Sequence, residues 1–431
     1  MRKTFKRVLG TILLVSMMFS VLILPAKNTK AFADYVKGYW NFKNGTAYDD
    51  SWCGNNGTVV GSPSKSRGIY DDCLTFNGSN YVQISNSSSI NFGTGDFSID
   101  FWFKTSSQKI NNTIIDKRDS TGKGYCVTIY DGHPLIQIAD STGFYNYWGG
   151  YNSQKFNEGK WHHATFTVDR DNPEGLKIYI DGQVVHTFNP TAKAGDITNS
   201  AYLYIAKHKD GTSNNFEGCL DGVGLYNKVL SYDEVTDFYC QGISSLYPAS
   251  SGDYRYKVLS TTVTEYNCGP LQANECIVSL APGSSRTVSQ TYSKKTTTTL
   301  NYNLEAVAKL LKIIELTNKL GITYSREITV SKTISDTFTF PISQGYNSYD
   351  IYAALDYDKA KISVEIQKKK EKKFLGIVID TDWNTVDTAV LHVKKPKVVH
   401  FGYPRNTLDN GRSALLPASM DRIPDGAVIY P

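Results

Sequence analysis

From Tyr39 to Tyr239, apolar residues recur at alternate positions in short runs such as "NYVQIS", "FSIDFWFK", "YCVTIY", "LIQIAD", "HHATFTV" and "LKIYIDG". A period of two sends successive side chains to opposite faces of an extended strand, and the Gly, Asn, Asp and Ser between the runs are turn residues. Many short alternating strands without helical periodicity predict an antiparallel sandwich. "YIDGQVV" adds a tight hairpin, because Asp-Gly between alternating apolar residues is a strong turn signal. In "KWHHATFTV" the same period separates His162 from His163, so the pair cannot serve one metal or one proton.

The texture changes after a Ser-, Gly- and Pro-rich stretch, residues 243–254, which reads as a linker. "LEAVAKLLKIIELTNKLG" has helical period and predicts an amphipathic helix over about 304–320. Glu305, Lys309, Lys312, Glu315 and Lys319 gather on one side, opposite Val307, Leu310, Leu311, Ile313 and Ile314. "RTVSQTYSKKTTTTLNYN" before it is extended and Ser/Thr-rich, while "ITYSREITVSKTISDTFTFPI" after it alternates apolar residues with Thr and Ser. "YDIYAALDY", "KISVEIQ", "KFLGIVID" and "AVLHVKKPKVVHF" predict later strands, with "KKKEKK" as a solvated hairpin tip. The fold class is therefore mainly β: an N-terminal antiparallel jelly-roll sandwich (34–242), then a β-rich domain (255–403) with one helix, then an irregular tail (404–431).

Residues 1–33 read as a secretion signal. Arg2, Lys3, Lys6 and Arg7 precede the apolar run "VLGTILLVSMMFSVLILP", and Ala31 and Ala33 suit signal-peptidase cleavage. Charge is divided unevenly: residues 34–249 carry 17 basic and 23 acidic side chains, whereas 250–431 carry 23 and 18. This split predicts two surfaces with different partners, the basic half suiting an anionic membrane or cell-wall polymer. Nucleic acid is not among the expected partners. Seven cysteines follow the signal, and outside the cell they can pair. Cys268 with Cys276, and Cys219 with Cys240, are the expected disulfides.

"GIYDDCLTFNGSNYVQI", "GDFSIDFWFKT", "KWHHATFTVDRDN…LKIYIDGQVV" and "FEGCLDGVGLYNKVLSYDEVTDFY", in that order, resemble laminin-G-like, concanavalin A-like jelly-roll domains of bacterial secreted proteins. The resemblance implies two stacked curved sheets that bind glycans or other surfaces. It also implies one structural calcium ion held by Asp50, in "DDSWCGNNG", and Asp221, in "FEGCLDGVG". It departs at Cys73 and Cys219, which leaves a disulfide peculiar to this chain open at those positions.

Such folds also host glycoside hydrolases, which need two carboxylates flanking one sugar. No Glu-x-Asp-x-x-Glu strand is present, and the acidic "SYDEVTDFY" reads as a helix start with Ser231 as N-cap and Glu234 in the capping-box position. His-Glu-x-x-His and Gly-x-Ser-x-Gly motifs are absent as well, so catalysis is not expected. Binding leaves a different mark, since sugars stack on flat rings with amides at the rim. "STGFYNYWGGYN" supplies Tyr145, Asn146, Tyr147, Trp148, Tyr151 and Asn152 as the expected glycan-binding residues. An alternative comes from the second half, whose Ser/Thr-alternating strand beside an amphipathic segment resembles the general plan of aerolysin-type β-pore formers. Arg326, Lys332 and Asp336 interrupt its apolar face.

Overall fold

The computed structural model describes residues 34–211, 213–247, 251–268, 271–297, 327–340, 348–374, 377–405, 416–417 and 419–430. The expected signal (1–33) and the expected helix (304–320) lie outside the described residues.

The first unit contains β1 (Val36–Trp40), β2 (Gly57–Val60), β3 (Ser64–Arg67), β4 (Asp72–Asn77), β5 (Tyr81–Ile84), β6 (Phe97–Lys104), β7 (Asn111–Arg118) and β8 (Gly124–Tyr130). It continues with β9 (His133–Asp140), β10 (Gly143–Trp148), β11 (Trp161–Val168), β12 (Leu176–Ile180), β13 (Gln183–Phe188), β14 (Leu203–Ile205) and β15 (Glu217–Tyr226). Two sheets result, one ordered β13-β12-β11-β6-β15-β4-β3 with β1 added to β15, the other β10-β9-β8-β7-β14-β5-β2. Trp40, Phe76, Phe101 and Phe166 of the first sheet share a buried cluster with Val82, Val127, Ile136 and Leu203 of the second. Burying one such side chain is worth roughly 1.5–3 kcal/mol, so the alternation itself selects the sandwich.

Local signals behave as the pattern predicts. Asp181 and Gly182 both take positive φ (53° and 75°) between the paired residues Ile180 and Gln183, the geometry of a two-residue hairpin turn. His162 lies opposite Phe103 and meets the Phe156 ring at 5.3 Å, whereas His163 lies opposite Trp102 with its ring 4.9 Å away. The two histidines therefore belong to different faces.

Ser231 caps α1 (Tyr232–Leu246). Its Oγ accepts from Glu234 N at 3.2 Å, and the Glu234 carboxylate accepts from Ser231 N at 2.9 Å. The helix runs into the expected linker and stops at Leu246, because its Tyr239, Cys240 and Ile243 are buried. They pack between Ile69 and Trp102 of the sandwich and Tyr256, Ile362, Val364 and Leu391 beyond it.

The second unit contains β16 (Tyr254–Glu265), β17 (Leu271–Leu280), β18 (Ser285–Thr297), β19 (Glu327–Thr339), β20 (Ser348–Phe374), β21 (Ile377–Arg405), β22 (Ser419–Met420) and β23 (Val428–Tyr430). One sheet runs β22-β17-β20-β21-β23 with β16 also on β20, and β18 pairs with β19 as a two-stranded ribbon. Two expectations are corrected. The lysine run is not a hairpin tip: β20 continues through it, and Lys372 pairs across the ladder with Asp380 (2.9 Å) and Asp382 (3.0 Å). Opposite charge across a ladder lets a strand continue where apolar alternation ends. The tail is not wholly irregular either, since β22 joins β17 and β23 joins β21. No helix among the described residues is long and apolar enough to cross a membrane.

Candidate functional site

Residues directly opposite one another in an antiparallel ladder share a face. The registers of the second sheet therefore line up Gln83, Tyr204, Asp116, Cys126, Gln137 and Asn146 as one row on its outward face. A neighbouring row carries Thr113, Thr128, Leu135 and Trp148. Between them lies a depression of about 280 Å³, lined by Asn111, Thr113, Arg118, Thr128, Tyr130, Gln137, Asn146, Trp148 and His208, among others.

Hydrogen bonds fix its polar floor. Arg118 donates from Nε to Asp116 Oδ1 (2.8 Å), from Nη2 to Asp116 Oδ2 (2.5 Å) and from Nη1 to Gln137 Oε1 (2.5 Å). Gln137 Nε2 then donates to Asn146 Oδ1 at 2.7 Å. Asp116 is fully buried, and this fork-to-carboxylate pair neutralises it. Burial, aided by Arg118, holds His208 below the usual histidine value, leaving a neutral ring whose Nδ1 accepts from Asp210 N at 3.0 Å. Burial also pushes the Cys126 thiol up, with Asp116 adding to the effect, so this sulfur stays protonated and is a poor nucleophile. The floor presents amides, hydroxyls and a fixed guanidinium, with no net charge from its Asp–Arg pair.

One end is aromatic. Trp148 lies edge-on to Tyr151 (4.9 Å, 87°) and to Tyr130 (5.1 Å, 73°), with the His133 ring 6.0 Å away. The Tyr130 and Tyr151 hydroxyls are 3.2 Å apart, and His133 Nδ1 is 2.9 Å from Ser153 Oγ. Trp148 is held in place before any ligand arrives.

Of the expected glycan-binding residues, Asn146, Trp148 and Tyr151 come together here, and Asn152 is exposed beside Tyr151. Tyr147 is corrected: it points the other way, 2% exposed in the core, with Phe188 at 6.0 Å. Tyr145 shares that inward parity and packs on Tyr147 at 4.8 Å. The cause is that "GFYNYW" is strand β10 rather than a loop, so alternate rings go to opposite faces. Arg118, Gln137, Thr128 and His208 went unrecognised in the sequence. Each is the polar partner in an ordinary alternation, and only the register across four strands gathers them.

The other expected sites resolve differently. Asp221 is fully buried, its Oδ2 accepting from Ile69 N (2.7 Å) and Tyr70 N (3.1 Å), and burial lifts its pKa to about 7. In the 49–56 turn it is Asp49, not Asp50, that organises the backbone, accepting from Tyr39 N, Ser51 N and Asn55 N. No group of three or more His, Cys, Asp or Glu side chains able to hold a metal ion occurs among the described residues. Cys219 hydrogen-bonds Thr75 Oγ1 (3.3 Å) and adjoins Cys73, while Cys240 lies in the α1 cluster, which corrects the Cys219–Cys240 pairing. The Cys268–Cys276 pairing is also corrected, because Cys268 Sγ donates to Tyr357 O (3.0 Å) and Cys276 Sγ to Val278 O (3.7 Å).

Residues 76–236 match the sequence profile of the concanavalin A-like lectin/glucanases superfamily, laminin G type. This stretch is a concanavalin A-like domain. It spans β5 to β15 and the start of α1, and so includes every residue that lines the depression. Among solved structures, domain 4 of an extracellular arabinanase from Geobacillus stearothermophilus, in complex with arabinotriose, is 18% identical with a TM-score of 0.39. The match covers 47% of this chain and 98% of that one. The binding domain of Paraclostridial Mosquitocidal Protein 1 is 15% identical (TM-score 0.44; 82% of this chain, 76% of that one). The botulinum neurotoxin serotype G binding domain is 14% identical (TM-score 0.42; 83% and 98%). No curated protein matches the chain.

Proposed function

We propose that the protein is a secreted, non-catalytic lectin whose concanavalin A-like domain binds a glycan, or a glycosylated surface, in the depression on its second sheet. The carrying observation is the juxtaposition of a pre-held Trp148 with a floor of amides and hydroxyls in which the buried Asp116 is neutralised by Arg118. A sugar offers apolar C–H faces and many hydroxyls, and this surface complements both. Hydrolysis needs two working carboxylates, and Asp116 is already committed to its guanidinium. A glycan array probed with the full chain and with Trp148→Ala tests the reading. Binding by the wild type that the variant loses supports it, and equal binding by both contradicts it.

A second reading, membrane damage by the β18–β19 ribbon, draws on one observation. Ser285/Thr339, Thr287/Thr337, Ser289/Ser335, Thr291/Thr333 and Ser293/Ser331 are five consecutive exposed hydroxyl pairs on one face. A membrane strand pair also needs a lipid-compatible opposite face, and there Arg286, Asp336 and Lys332 each stand across from an apolar residue. A lysine or arginine facing lipid costs about 2–4 kcal/mol near the bilayer middle, so the lectin reading is carried further. Dye release from vesicles containing anionic lipid would support the ribbon reading, and intact vesicles would remove it.

A further inference from the structure

The outward face of the second sheet carries another aromatic group, four strands away from Trp148. Tyr204 on β14 occupies the same row as Asp116, and Tyr81 on β5 and Tyr202 keep its parity. Their rings contact one another edge-on or tilted, Tyr81 to Tyr204 at 5.9 Å and Tyr202 to Tyr204 at 6.1 Å. Lys207 Nζ lies 4.3 Å from both the Tyr81 and the Tyr204 ring centroids. A cation over two ring faces fixes their orientation, while Tyr202 stays 46% exposed. Three tyrosines on a solvent-facing sheet surface, braced by a lysine, form a platform like the one around Trp148. The Arg118–Gln137–Asn146 floor lies between the two.

From these placements we infer that the depression is the middle of a longer groove, with Tyr81, Tyr202 and Tyr204 forming a distal subsite, and that the ligand is a linear oligosaccharide rather than a mono- or disaccharide. The inference rests on the glycan-binding reading above and adds the ligand's length. The order β10-β9-β8-β7-β14 places four strand-to-strand steps between Trp148 and Tyr204. At about 4.8 Å per step this is about 19 Å, which a chain at roughly 5 Å per pyranose spans with about four units. A ligand seated on both platforms crosses the strands, with its hydroxyls over the amide floor and a ring stacked at each end.

The test uses the full chain and linear gluco-, xylo-, manno- and arabino-oligosaccharide series of two to six units, with affinities measured by calorimetry. In the series that binds, affinity is expected to climb until about four units and then level off. Tyr204→Ala and Tyr202→Ala are each expected to lose about tenfold on the hexasaccharide and to leave the disaccharide unchanged, while Trp148→Ala lowers both. Tyr202 lies just outside β14, so its variant, checked by an unchanged melting temperature, keeps the test valid if Tyr204→Ala misfolds. Length-independent affinity, or a hexasaccharide affinity untouched by both tyrosine variants, overturns the distal subsite and leaves the Trp148 site standing. If Trp148→Ala changes neither ligand, or no series binds the wild type, the underlying reading falls and the distal subsite with it.

Discussion

Tyr147 and Trp148 are chain neighbours that the strand geometry sends to opposite fates. Tyr147 is 2% exposed and packs against Tyr145 (4.8 Å) and Phe188 (6.0 Å). Trp148 lies on the outward face, braced edge-on by Tyr130 and Tyr151. Truncating a buried aromatic ring to alanine removes its transfer energy and leaves a cavity, at a cost of about 3–5 kcal/mol. A domain of this size loses about 2–4 °C in melting temperature per kcal/mol. Tyr147→Ala should therefore melt roughly 10 °C below the wild type. Trp148→Ala loses only surface contacts, worth about 1 kcal/mol of stability or a few degrees. As a central ring in the ligand site it should lose about 2 kcal/mol of binding, close to thirtyfold in Kd. Differential scanning fluorimetry and calorimetric titration with an array-selected glycan read the two effects separately. The reasoning is refuted if Tyr147→Ala weakens binding at an unchanged melting temperature, or if Trp148→Ala melts like a core variant and binds like the wild type.

The remaining predictions concern pH and sulfur. His162 is 2.8 Å from Asp181 and 3.0 Å from Glu158; burial opposes its charge, but these carboxylates outweigh it and raise its pKa. Its contribution should be full below the unfolded histidine pKa of about 6.5 and disappear as pH rises through the higher folded value. His162→Gln should flatten that part of the melting-temperature profile, and an unchanged profile would count against the pairing. Asp221, lifted by burial to about 7, binds its proton more tightly when folded, so stability should fall as pH rises from about 4 to 7. Asp221→Asn keeps an acceptor for the Ile69 and Tyr70 amides and should abolish that fall in thermal melts; a variant with the same slope as the wild type removes the cause. The thiols of Cys73 and Cys219 adjoin, their mutual hydrogen bond raising the pKa of the first and lowering that of the second to about 5. With oxidised glutathione as electron acceptor they should lose two protons and join as a disulfide, and peptide mapping that links either sulfur to another cysteine would contradict this.

Strand existence was legible because alternation, turn residues and the Asp-Gly hairpin all act locally. The capping box of α1 is local too, and the structure repeats it at Ser231 and Glu234. The site was only half legible. Trp148, Tyr151 and Asn146 stood out as a dense aromatic and amide segment, but ring density alone does not tell Trp148 from Tyr147; the start of β10 does. Arg118, Gln137 and His208 are far apart in sequence and become a floor only once β7, β9 and the 206–208 segment are in register. The lysine run misled for a related reason: a strand whose partner carries Asp380 and Asp382 needs no apolar residues to continue. Cysteine spacing likewise carried no information about Cys73 and Cys219, which β4 and β15 bring together across the sheet.

The most direct measurement is a crystal structure of the full chain with the tightest-binding oligosaccharide from the array. A sugar ring stacked on Trp148, with hydroxyls bonded to Gln137 and Asn146, is the predicted result. A ligand bound instead on the first sheet, at the 49–56 turn or on the second unit would contradict the account.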